Sequence, residues 1–137
     1  MSPILRNILA VIAGYIVGSI SNMGLIMLNG IVIETPEGFD STSMEAIQAT
    51  AHLLEPQYFI FPFLGHAVGT FIGALMTAKI AANNARNLAL LIGALFFAGG
   101  VANIFLIPAP LWFNIADLAL AYFPMAYFGW IVSGRND

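Results

Sequence analysis

"LGHAVGTFIGALMTAKIA", Leu64 to Ala81, is apolar enough to lie in a bilayer, yet it carries the imidazole of His66 among Gly65, Gly69 and Gly73. The rest of the chain places this stretch in a membrane. Of 137 residues, 60% are hydrophobic and 8% charged, with a mean hydropathy of +0.89; soluble domains carry about a quarter charged residues. No cysteine is present, which excludes a disulfide framework, a thiolate nucleophile and a zinc-thiolate site. Arg6, Lys79, Arg86 and Arg135 lie in separate segments and form no basic patch, so nucleic acid is not expected as a partner.

A helix crosses the hydrocarbon core with roughly 20 mostly apolar residues. Four windows qualify, at about 4–28, 58–81, 88–107 and 111–132, and predict an all-α integral membrane protein with residues 1–137 in a single four-helix transmembrane domain. Ser2 and Pro3 suit the N-cap and first position of the first span, and Asn29-Gly30 suits its end. Pro124 is expected to kink the fourth span. A signal peptide is the competing reading of the start, but the apolar run continues past Ser21 to Ile33. Between the first two spans, the loop 30–57 holds an expected amphipathic helix at about 42–54, with Thr42 as N-cap, Glu45 three residues on and Pro56 as the stop.

Four alternating spans bring all four cations to one side, which the positive-inside rule makes cytoplasmic. Both termini are then inside and the loop 30–57 outside, in a bacterial-type inner membrane. That loop carries Glu34, Glu37, Asp40, Glu45 and Glu55 and neither Lys nor Arg. Trp112 and Trp130 bracket the fourth span about 27 Å apart along a helix, as interfacial anchors would. "GSISNMGLI" (Gly18–Ile26) aligns without gaps to "GGVANIFLI" (Gly99–Ile107), which reads as a parallel two-helix repeat. Shared apolar composition accounts for the match equally well.

Counting at about 1.5 Å per residue puts Asn22, Asn103, His66 and Asp117 some 6–12 Å below the outer ends of their spans. Small residues mark where helix backbones approach closely, and here they form rows: Gly14 and Gly18; Gly65, Gly69 and Gly73; Gly93 and Gly100. The polar residues follow or adjoin these rows, so they are expected to face the bundle. Asp117 and His66 are the only carboxylate and the only imidazole within the apolar spans. An ionisable group there is costly and needs a partner or a wet cavity. The two are expected to be neighbours, with Asn22, Asn103, Asn114 and Thr70 completing a hydrogen-bond network. A carboxylate beside the ring favours imidazolium; burial disfavours it.

Two functional readings follow. One is binding or transport of a small polar solute or cation, with or without proton coupling, by a homo-oligomer. The other is a structural or accessory subunit whose polar residues only set helix register and whose partners are other membrane helices. An enzyme is disfavoured: Ser19 and Ser21 lack a nucleophile elbow, His52 and Glu55 make only half of a paired metal motif, and no phosphate loop is present. Neither a metal nor another cofactor is implied.

Overall fold

The first helix begins as its sequence dictates. The Ser2 hydroxyl accepts from Leu5 N at 3.2 Å, and Pro3, which has no N–H to leave unsatisfied, follows it. A computed structural model describes residues 1–137 and contains helices and turns only. Helix α1 (Pro3–Val32) leads through a loop to α2 (Met44–Thr50). Two short 3₁₀ turns, Ala51–Leu53 and Pro56–Phe59, then run into α3 (Ile60–Ile80). Helix α4 (Ala85–Leu106) follows, and the last span is divided into α5 (Leu111–Leu120) and α6 (Phe123–Val132). Four segments are long and apolar enough to cross a membrane: Pro3–Val32, Pro56–Ile80, Ala85–Leu106 and Leu111–Val132.

Three expectations about these elements need correction. Asn29-Gly30 does not stop α1, which continues to Val32: the Asn29 amide donates to Tyr58 O at 3.0 Å, and the apolar Ile31 and Val32 extend the helix. The cap of α2 is Ser43 and not Thr42: its hydroxyl accepts from Ala46 N at 3.0 Å, so Glu45 falls one position too early to complete a capping box with it. Thr42 instead donates its N–H to Asp40 Oδ1. Pro124 does more than kink the last span. With no donor at Pro124 the helical ladder fails around Ala121 and Tyr122, and α6 restarts with the proline in its first turn.

Helix α3 is the centre of the bundle, packed on α1, α4 and α6. Its contact with α1 is backbone against backbone. A methyl group added at Gly18 would stand 2.6 Å from Gly69 O, one at Gly73 2.8 Å from Gly14 O, and one at Gly14 would collide with Thr77. Thr77 donates to Ala10 O across this seam at 3.2 Å. The interior is accordingly small-residue: Ala10, Ala74, Ala78, Ala85, Ala89 and Ala126 surround Ile92. Large apolar side chains point outward instead, as in the row Ile4, Ile8, Ile12, Ile16 and Ile20, each at least half exposed. That inversion of the soluble pattern suits a hydrocarbon surrounding. Between α4 and α6, Gly93 meets Ala126 and Gly100 meets the Tyr122 ring. The aligned pair Gly18 and Gly99 have different surroundings, because Gly99 faces nothing within 4 Å.

The cations gather at one end of the bundle. Arg135 donates to the carbonyls of Ala78 and Ala81, closing the C-terminus of α3, and pairs with Asp137 at 3.0 Å. Arg6 donates to Ile80 O, Asn7 accepts from Ala82 N, and Arg86 stands over the Trp130 ring. The main-chain oxygen of Asp137 accepts from Arg86 N and from Trp130 Nε1. The hydrogen bond from Arg135 holds the Asp137 carboxyl below its ordinary pKa. A lowered folded-state value stabilises the clasp above the unfolded pKa and loses it as pH falls through the folded one. In a Trp112→Phe background, Trp130 emission is expected to shift on acidification below the usual carboxylate range; Asp137→Asn should show the released signal at neutral pH.

Candidate functional site

His66 is carried on α3 about 9 Å from its start, and Asp117 on α5 at a similar distance from its own. The break after α5 supplies the third member. In an unbroken helix a residue five positions on lies about 140° away around the axis, but Tyr122 leaves helical geometry at φ −111°, ψ −81°, and its hydroxyl reaches Asp117 Oδ2 at 2.8 Å. His66 Nδ1 contacts Asp117 Oδ1 at 2.8 Å, and the His66 and Tyr122 rings stack with centroids 5.8 Å apart. The absence of a side chain at Gly100 makes room for the tyrosine: an added methyl there would lie 2.5 Å from its hydroxyl. Tyr122 is 1% exposed and Asp117 4%, so the carboxylate spends both oxygens inside the protein. An ionised carboxylate only accepts, so Nδ1 then carries a proton; with the ring neutral, Nε2, which has no partner within the chain, is left as an acceptor.

Asp117 and His66 also form part of the wall of a cavity of about 200 Å³. Asn29 enters it from α1, Asn103 from α4 and Asn114 from α5, while Tyr58, Phe59 and Phe113 contribute aromatic surface. Leu54, just after the first 3₁₀ turn, reaches the same space, and Gln48 of α2 donates to Leu106 O at 2.7 Å. The cavity therefore lies toward the end of the bundle opposite the cations, beside the acidic loop. No group of three or more His, Asp or Glu side chains converges anywhere in the chain to hold a metal.

The expected six-residue network is not formed as such. Thr70 is fully buried, but its hydroxyl donates to His66 O one turn back. Asn22 packs against α3, where a methyl group at Gly65 would stand 2.8 Å from its Oδ1, and it does not line the cavity. Asn103 and Asn114 line the cavity without bonding the acid or the imidazole, and Asn103 is exposed. The four-residue extension of α1 explains the misplacement: it moves Asn22 about 6 Å deeper relative to the helix end and brings Asn29 level with the cavity. Asn29 and Tyr122 are the site residues that sequence reading missed. Asn29 follows Asn22 by two helical turns and could have been found on that face; nothing local signals Tyr122, which needs the helix break. Ser21 donates to Val17 O and stands apart from the imidazole.

Comparison with protein-family models, with curated proteins and with solved structures finds no match to this chain. Its chemistry rests on the geometry alone. Asp117, His66 and Tyr122 form a satisfied hydrogen-bonded chain, and the cavity presents acceptors and amides to whatever enters.

Proposed function

We propose that the protein binds a small polar solute or cation in this cavity and carries it across an inner membrane in exchange for protons, with the cation-bearing end cytoplasmic and the cavity facing outward. The observation that carries the reading is an acid–imidazole pair, borne on two of the segments long and apolar enough to cross a membrane, in the wall of a cavity instead of sealed within helix packing. Intramembrane ionisable groups mark substrate and proton pathways. A proton on His66 and a cation in the cavity would each neutralise the same Asp117 charge. Occupancy by one disfavours the other, which is the elementary requirement for exchange. Four spans enclose little pathway by themselves, so transport implies a homo-oligomer or a second conformation.

One observation favours the alternative, a structural subunit. Tyr122 and His66 each bond one oxygen of Asp117, as polar contacts that only fix helix register also do. Proteoliposomes loaded with a pH-sensitive dye separate the two readings. Under inward gradients of sodium, potassium or tetramethylammonium, at least one ion should drive protons out, and Asp117→Asn should reduce the signal to that of protein-free vesicles. Unaltered protein indistinguishable from protein-free vesicles under all three gradients would overturn the transport reading.

A further inference from the structure

The cavity's lining narrows the chemistry of its occupant. With the imidazole neutral, its only formal charge is the carboxylate of Asp117, and none of its lining residues is Lys or Arg. The cations cluster at the far end of the bundle, with Arg6, Arg86 and Arg135 all engaged there. At the near end Glu34, Glu37, Asp40, Glu45 and Glu55 make the approach acidic. Such an arrangement repels anions and concentrates cations at the mouth.

The hydrogen-bonding inventory points the same way. His66 Nε2 is an acceptor without a partner in the chain, and the Asn103 and Asn114 amides, which line the same cavity, can each turn an oxygen inward. The complement of these groups is a ligand that donates several hydrogen bonds.

Size and surface complete the description. An engineered cavity of about 150 Å³ holds benzene, so about 200 Å³ admits a single ring with a short polar arm. Tyr58, Phe59 and Phe113 provide aromatic walls of the kind that hold ammonium groups and rings. We propose that the occupant is a small organic ammonium ion, its N–H groups directed to His66 and Asn114 near the Asp117 charge and its apolar part against Phe59 and Phe113. This rests on the cavity being a binding site and names what it selects.

Three probes of one shape test the assignment: benzylammonium, benzyl alcohol and benzoate, titrated calorimetrically at neutral pH into the protein in lipid nanodiscs, with empty nanodiscs subtracted. Benzylammonium should bind about tenfold more tightly than benzyl alcohol, and benzoate should not bind. Asp117→Asn should bring the cation-to-alcohol ratio close to one, and Phe113→Leu should weaken the cation more than the alcohol. Benzyl alcohol binding as tightly as the cation, or benzoate binding more tightly, would overturn the ammonium assignment while leaving the cavity a binding site. If no probe binds but the proteoliposomes exchange ions for protons, the assignment alone fails. If neither binding nor exchange is seen, the site reading fails with it.

Discussion

Asp117→Ala, unfolded reversibly in mixed detergent micelles, is expected to lose about 1–3 kcal/mol for each of the two hydrogen-bonding groups it leaves without an acceptor. Truncation strands two groups together. The Tyr122 hydroxyl and the His66 Nδ1 both lose their acceptor in a region where Tyr122 is 1% exposed. Asp117→Asn keeps an oxygen for the tyrosine and an amide for the imidazole, and should cost only about 1 kcal/mol, that of a rearranged neutral hydrogen bond. Tyr122→Phe leaves one carboxylate oxygen unsatisfied and should fall between them, at about 1–3 kcal/mol. The three side chains act as one unit, so the losses should not add: Asp117→Ala in a His66→Leu, Tyr122→Phe background should cost clearly less than in the unaltered protein. Equal losses in both backgrounds would show that the three groups contribute independently.

The second large effect is expected at the α1–α3 seam. Gly14→Leu drives its side chain into Thr77 and against Gly73 O, and neither backbone can yield without separating the helices. Overpacking a close contact costs about 1–3 kcal/mol or more, and here the Thr77 to Ala10 hydrogen bond would be lost with it. Protease resistance of α1 in detergent should fall sharply. Gly24→Ala is the control of opposite sign: nothing lies within 4 Å of that position, so the gain in helix propensity, about 0.5–1 kcal/mol, should appear as a small stabilisation. If Gly14→Leu were as stable as Gly24→Ala, the two helices would not pack by backbone approach.

These variants probe different kinds of information. The glycine rows can be read as intervals of four or seven along the chain, because helical periodicity converts spacing into a face. Which row meets which requires the crossing of two particular helices. The same division runs through the site. Asp117 and His66 are conspicuous as the only groups of their kind in the apolar spans, and the cost of burying either alone argues for a partner. Depth along a helix depends on where the helix ends, and because α1 runs on to Val32, Asn29 and not Asn22 stands level with the cavity.

Composition and hydrophobic length determined, from the sequence by itself, that this is an all-helical chain with four segments able to cross a membrane, and in which of them its ionisable groups lie. Those are one-dimensional quantities, set by the roughly 30 Å of hydrocarbon a helix must cross. Tertiary structure alone decided that Tyr122 joins Asp117, that Asn29 and not Asn22 faces the cavity, and that α3 lies at the centre. The reason is rotational: a side chain's neighbours depend on where each helix ends or breaks and on the angle at which backbones cross. In a bundle packed through glycine and alanine, those are set by contacts between distant segments.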